Sequence, residues 1–305
     1  MHMGALFPQF EIGEDPAVIK DFAVTAEELG YRYITAFDQI VGLNKGSRPD
    51  WGYVHDAADM FHEVMILFGF MAAVTERIGF APGILILPQR VTAVVAKQAA
   101  EIDLLSGGRF RLGIGVGAKP DEFAACGVEW RNRGRRTDEQ IEVLRLLWTN
   151  DLVSYEGQYH RIVDGGINPL PKQRPIPIWV GGVSDFAIRR LVKLGDGWMP
   201  NFPPNDYGRE RVEKLHGIAS EAGRDPTSIE IEATVTIIDR PLEEVVEEIE
   251  GWRALGASHV TLCTIPELWL PEEKRWNKAP LQSLPGPGAH IDAFRQFRES
   301  VPELF

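Results

Sequence analysis

Few residue groupings in this 305-residue sequence are spaced for chemistry, and the commonest patterns fail on inspection. His62-Glu63 opens an HExxH pattern, but Ile66 stands where the second histidine belongs, so a zincin site is not expected. The seven histidines (His2, His55, His62, His160, His216, His259 and His290) show no ligand spacing, and no metal is expected. Neither a Walker A loop nor a GxSxG elbow occurs. His62 and Glu63 read instead as capping and packing residues at the start of a helix.

Four groupings remain. Gly113-Ile114-Gly115-Val116-Gly117-Ala118 satisfies GxGxx(G/A), the dinucleotide-binding pattern. It falls at the fourth strand rather than the first, Lys119-Pro120-Asp121 interrupts a helix opening from it, and Asp138 and Glu139 lie early in a helix. Strand alternation puts Phe110, Leu112, Ile114 and Val116 on one face and Gly113, Gly115 and Gly117 on the other. Those glycines leave space for a flat cofactor, or merely let the packing close up. Gly181-Gly182 precedes Ser184-Asp185, a good N-cap pair, so the turn is either an anion site of backbone N–H groups or an ordinary tight turn. Asp38, at the end of the second strand, can accept a ring hydrogen bond, move a proton or brace a loop. Pro82-Gly83-Ile84 inside the third strand marks a bulge or a close backbone approach.

The elements that must hold these residues alternate from end to end. Strands are predicted at 3–7, 31–37, 78–87, 110–116, 176–180, 197–200, 229–238 and 259–263. Helices are predicted at 16–29, 61–75, 91–105, 135–148, 186–194, 207–222, 242–255 and 291–300. Eight strand–helix units imply a (β/α)8 TIM barrel, with a doubly wound open sheet as the alternative. Two connections are longer than the rest: 149–175 after helix four, with its own hairpin at 153–162, and 264–288 after strand eight, with Trp269 and Trp276. Long ordered loops of this kind are often lids. No linker divides the chain, so 1–305 is expected to be one domain carrying two insertions.

Acidic residues outnumber basic ones by 44 to 32, a net charge of −12 that speaks against a nucleic-acid partner. Two cysteines, Cys126 and Cys263, exclude a disulfide framework. With no visible signal peptide and no apolar run long enough to span a bilayer, a cytoplasmic protein without a membrane partner is expected.

Several short motifs in register resemble the bacterial luciferase-like monooxygenase superfamily. They are Gly4-Ala5-Leu6-Phe7-Pro8-Gln9, Ala26-Glu27-Glu28-Leu29-Gly30-Tyr31, Leu105-Ser106-Gly107-Gly108-Arg109-Phe110 and the following glycine strand, Ile178-Trp179-Val180-Gly181-Gly182, and Leu194-Gly195-Asp196-Gly197-Trp198. The sequence is most similar to the actinobacterial branch of coenzyme F420-dependent oxidoreductases. The resemblance implies a barrel with a deazaflavin, or alternatively FMN, across its C-terminal mouth. It places Asp38 at the ring's polar edge, and Gly83 and Ile84 behind the ring with a non-prolyl cis peptide before Ile84. Gly117 and Ala118 would line the ring, and Gly181 and Gly182 would hold the phosphate. Lys119, Arg189 and Arg190 are candidate helpers for an anionic cofactor.

The chain departs from the pattern at Gln39, where many relatives have histidine, and at Ala118-Lys119-Pro120. Gln39 takes the catalytic position beside Asp38 yet cannot relay a proton as histidine does. The function implied is hydride transfer between F420 and a small organic substrate. The alternatives are an FMN-dependent monooxygenase and a non-catalytic cofactor-binding protein. A homodimer is implied by the family.

Overall fold

A computed structural model of the protein describes residues 1–48, 55–265 and 284–305. Eight parallel strands close on themselves: β1 (His2–Leu6), β2 (Tyr33–Phe37), β3 (Gly79–Ile86), β4 (Leu112–Gly115), β7 (Ile178–Gly181), β8 (Gly197–Met199), β9 (Glu230–Thr236) and β10 (His259–Cys263). The seam joins β1 to β10, with His2 opposite His259 and Ala5 opposite Leu262. Closure makes this a (β/α)8 barrel and sets aside the open sheet.

Each strand is short and buried on both faces because helices cover the outside and side chains fill the inside. The principal covering helices are α1 (Pro16–Glu28), α2 (Val64–Ala73), α3 (Thr92–Leu105), α5 (Arg133–Thr149), α6 (Asp185–Leu194), α7 (Asp206–Glu221), α8 (Leu242–Ala254) and α9 (Pro287–Ser300). Local chemistry sets their starts. Asp15 accepts the Ala17 N–H at 2.9 Å ahead of Pro16, and Ser184 accepts the Ala187 N–H at 3.2 Å. Glu63 caps α2 by accepting the Ile66 N–H at 2.8 Å, which starts that helix three residues later than the apolar pattern suggests.

One further helix departs from expectation. Lys119-Pro120-Asp121 begins α4 (Pro120–Ala125) instead of interrupting a helix. Proline at the first turn loses no intrahelical bond, so it favours a start there. The connection after α5 holds an antiparallel hairpin, β5 (Val153–Glu156) and β6 (Arg161–Gly165). His160 fastens it to the barrel, with Nδ1 2.8 Å from Glu139 on α5 and Nε2 2.6 Å from Thr92 on α3. Of the second long connection, residues 266–283, including Trp269 and Trp276, lie outside the described residues. Among the described residues no helix is long and apolar enough to cross a membrane.

The lower half of the barrel is packed with aromatic and charged side chains. Arg111 lies over the Tyr33 and Trp179 rings, 4.1 and 4.4 Å from their centroids, and is ion-paired with Glu232. Thr261 donates to Glu232 at 2.6 Å, and His259 packs edge-on to Trp179. Gly4 and Gly197 make room for this layer, since a Cβ at either would strike Tyr33 or Trp179. This floor leaves the C-terminal half of the barrel to carry the site.

Candidate active site

A cavity of about 500 Å³ opens at the C-terminal ends of the strands, within the range of small-molecule and cofactor sites. Asp38, Gln39, Gly83, Ile84, Gly117, Ala118, Gly181 and Gly182 all line it. The structure therefore brings together residues that lie up to 144 positions apart, at or beyond the C-terminal ends of β2, β4 and β7 and, for Gly83 and Ile84, inside β3, on the face where barrel enzymes keep their chemistry.

The wall beside β3, β4 and β7 is made of backbone and aliphatic side chains. The strand-three bulge is present: Ala36 pairs with Pro82 and Phe37 with Ile84, which leaves Gly83 as the extra residue. The Gly83–Ile84 peptide is not cis, contrary to the expectation; the cis bonds among the described residues precede Pro169 and Pro175. One unpaired residue already re-aims Ile84, so the bulge needs no cis bond.

Ile84 also corrects the reading of the glycine strand. A Cβ on Gly115 would lie 2.8 Å from Ile84 Cδ1, and one on Gly181 would strike Ile84 Cγ2. Gly113 faces Pro82 and Met199 in the same way. The glycines thus admit neighbouring side chains, and the open space begins above those side chains. Gly117, with φ +72°, turns the chain into the loop that brings Ala118 and Lys119 to the cavity.

After β7, Gly182 takes φ +106°, and its carbonyl accepts the Trp198 indole N–H at 2.8 Å. The turn leads into the capped N-terminus of α6, whose first N–H groups have no intrahelical acceptor. Asp185 sits beside that terminus, paired with Arg211 at 2.9 Å and Lys214 at 2.5 Å on α7. Neither Arg189 nor Arg190 lines the cavity: Arg190 is held by Asp138 at 2.5 Å, and Arg189 lines a surface groove between α6 and α7. Lys119 does reach the mouth.

Asp38 belongs to an ionic brace. Its carboxylate accepts from Arg90 at 2.6 Å and from the Ile86 N–H at 3.0 Å, while Arg90 also donates to Glu63 at 2.6 Å. Burial holds the Asp38 carboxyl above its ordinary range, with Arg90 and the Ile86 N–H opposing it only in part. Both oxygens are engaged inside the protein, so bracing accounts for Asp38, and the proton-transfer role expected of it finds no support in this geometry. Gln39 donates to Glu122 at 3.2 Å and makes the second expected acid–base position a positioning contact as well. Glu63 and His62 behave as capping and packing residues: the His62 backbone N–H donates to Gln9 Oε1 at 2.7 Å, and its ring packs against Phe7.

Three cavity groups were not singled out from the sequence. Glu122, almost fully buried on α4, pairs with Lys119 at 3.0 Å. Its signal was an acidic residue in the first turn after a proline start. Thr35 has a buried hydroxyl and lines the cavity, and that oxygen has no hydrogen-bond partner among the described residues. His55 completes an aromatic wall, its ring 4.9 Å from Phe10 and 5.0 Å from Phe61. Burial holds the His55 ring below its ordinary value, against the pull of Asp59, whose carboxylate lies 3.6 Å from Nδ1. Of the stretch that joins β2 to α2, residues 49–54 lie outside the described residues.

A model of the luciferase-like monooxygenase family matches residues 2–287. An uncharacterized protein of Mycobacterium tuberculosis is 35% identical over 207 residues, 66% of this chain and 71% of its own. An F420-dependent glucose-6-phosphate dehydrogenase of Amycolatopsis mediterranei is 28% identical over 80% of this chain and 72% of its own. An FMNH2-dependent dimethylsulfone monooxygenase of Pseudomonas putida is 31% identical over 74% and 59%. Among solved structures, a monooxygenase from Streptomyces bottropensis superimposes with a TM-score of 0.77 at 20% identity over all of both chains. An F420-dependent secondary alcohol dehydrogenase does so with a TM-score of 0.75 at 18% identity over 98% of both. These two share the fold.

Proposed function

The chain belongs to the luciferase-like monooxygenase family, and from that premise we propose that it is a two-electron oxidoreductase using coenzyme F420 on a small organic substrate. The observation that carries this reading is a single cavity joining an apolar wall to the turn before α6. Such a site suits a flat ring with an anionic tail. Ile84, Ile86 and the backbone at Gly117 and Ala118 would hold the ring, and the turn at Gly181 and Gly182 its phosphate. The orphaned Thr35 hydroxyl, buried at the cavity wall, fits a polar atom of the ring edge. Bound there, the cofactor would supply hydride chemistry at its ring carbon, while the protein orients it and excludes water.

F420 is favoured over FMN because the F420-dependent relative aligns over more of both chains than the FMNH2-dependent one. The monooxygenase reading rests on that second relative's higher identity. Equilibrium fluorescence titration of the purified protein with each cofactor tests the choice. F420 is expected to bind at least roughly tenfold more tightly, about 1.4 kcal/mol. Tighter binding of FMN would put the monooxygenase reading in its place.

A further inference from the structure

We infer that an arginine cluster at the start of α5 binds the carboxylate tail of the deazaflavin cofactor. It would separate F420 from FMN by a part of the molecule that lies outside the cavity, and it rests on the F420 reading above. Beyond its phosphate, F420 carries a chain of glutamates, each with a free carboxylate. FMN ends at the phosphate.

Four of the six residues from 131 to 136 are arginine: Arg131, Arg133, Arg135 and Arg136. Elsewhere in this chain of net charge −12, arginine is commonly matched with a carboxylate, as Arg48 is with Asp121, Arg90 with Asp38 and Arg145 with Asp196. None of the four forms an ion pair among the described residues. The carboxylates nearest in sequence are taken: Asp138 by Arg190 at 2.5 Å, Glu139 by His160 at 2.8 Å, and Glu129 by the Arg131 backbone N–H at 2.8 Å. Arg133 and Arg136 each keep a buried Nε with no hydrogen-bond partner among the described residues. Buried donors of that kind call for an acceptor.

The cluster does nothing for the helix it opens. α5 begins at Arg133, and its cap residue Asn132 makes no side-chain hydrogen bond to the helix. A helix start carries partial positive charge, so arginine in the first turn opposes the dipole, and like charges three or four residues apart repel. The first turn holds no acidic residue to offset either effect. An anion brought from outside offsets both, and guanidinium forks bind carboxylates through two hydrogen bonds at once.

The place of the cluster suits a tail. Arg190, five residues into α6, donates to the Gly134 carbonyl at 3.0 Å and pairs with Asp138. The first turn of α5 therefore packs against α6 about 8 Å along that helix from its start, and the Gly181-Gly182 turn leads into the same start. Contacts also run from the cluster to the cavity. Arg133 lies over the Trp130 ring, 3.5 Å from its centroid, and Trp130 meets Phe123 edge-on at 5.0 Å. Phe123 in turn packs against Gly117, which lines the cavity. A tail leaving a phosphate held at the turn needs only a few residues, at about 3.5 Å each, to reach the arginines.

The test is a fluorescence titration with F420 preparations of defined tail length, from no glutamate to several, on wild type, Arg131→Ala/Arg135→Ala and Arg135→Glu. Wild type should bind the long-tailed form at least roughly tenfold more tightly than the tail-free form, and the gain should shrink as salt is raised. Arg131 and Arg135 are exposed, so their loss should leave the denaturation midpoint unchanged. The double variant should bind all tail lengths within about twofold of one another, and Arg131→Lys/Arg135→Lys should restore most of the preference. Arg135→Glu puts a carboxylate where the helix dipole favours one. It should hold or raise the denaturation midpoint while making the longest tail the weakest ligand. Affinity for the tail-free form should stay within about twofold of wild type in the double alanine and lysine variants. A wild type indifferent to tail length would overturn the inference, as would a tail preference that survives in both the alanine and the glutamate variants. Both outcomes leave the deazaflavin reading standing, because the tail-free form still binds. A wild type that binds no F420 of any tail length removes both.

Discussion

At the floor of the barrel, Arg111 is clamped between two aromatic rings and paired with Glu232, which Thr261 also holds. At the mouth, Asp38 is paired with Arg90, and Glu122 with Lys119, in walls that face about 500 Å³ of open space. Both regions bury charge, and Glu232 also borders the cavity from below, but Arg111 and Thr261 engage it, whereas the mouth adds the Thr35 hydroxyl and the His55 ring to the cavity wall. A buried pair packed between rings adds little net stability and mainly makes each partner indispensable to the other. The same chemistry beside a cavity sets the position of whatever enters. The floor is thus a structural device and the mouth a functional one, and the two should fail differently when disturbed.

The largest effect belongs to the floor. Glu232→Ala strands the Arg111 guanidinium between the Tyr33 and Trp179 rings, and loss of one partner of a buried pair costs about 3–5 kcal/mol. Urea denaturation at pH 7 should show that loss, whereas Glu232→Gln, which can still accept from Thr261, should lose less. Equal stability of Glu232→Ala and wild type would erase the distinction between floor and mouth.

The second effect is also in the floor and depends on pH. Burial, Arg111 and His2 hold the His259 ring down to about 2. Above pH 6.5 the ring is neutral folded or unfolded, and it contributes no pH dependence. Below 6.5 the unfolded chain takes up a proton that the folded chain refuses, so stability falls as pH falls toward 2. The slope is about 1.4 kcal/mol per pH unit, or about 2 kcal/mol lost by pH 5. His259→Gln should flatten the stability–pH curve over that window by this one proton, as read from denaturation midpoints at several pH values.

Much of this contrast was visible in the sequence, and what was hidden has a physical reason. Strand–helix alternation, the Ser184 cap and the glycine turn are local signals, and the chain folds them where they read; β10 begins and ends as predicted, at His259 and Cys263. The bulge at Gly83 was legible because proline and glycine weaken a central strand. What escaped are pairs made by barrel closure. Asp38 meets Arg90 from 52 positions away, and Arg111 meets Glu232 from 121. No spacing rule couples such distant residues, so the sequence left ring contact, proton transfer and bracing all open for Asp38. Pro120 was read as an interruption when it starts α4, and that reading concealed Glu122. His55 lies in a polar stretch of sequence with no periodicity to mark which way a side chain faces.

The smallest effect in free energy isolates the mouth without touching the floor. Gly181 and Gly182 are poor places for this test, because a Cβ at Gly181 would strike Ile84 and Gly182 sits at φ +106°. Ser184 is exposed, and its side chain caps α6 through the Ala187 N–H. Aspartate caps a helix about as well as serine, so Ser184→Asp should leave stability within about 0.5 kcal/mol. It also brings a carboxylate to the N–H groups at the helix start, where it competes with an anionic ligand and repels it. F420 affinity should fall roughly tenfold, about 1.4 kcal/mol, and the loss should shrink as salt is raised. Ser184→Asn, which caps without charge, should bind as wild type does. A fluorescence titration in which Ser184→Asp binds F420 as tightly as Ser184→Asn would move the phosphate away from this turn and leave the ring pocket unexamined by the mutation. A loss confined to the aspartate variant, with unchanged denaturation, would show that the mouth recognises charge through backbone N–H groups, in a chain whose net charge of −12 repels anions overall.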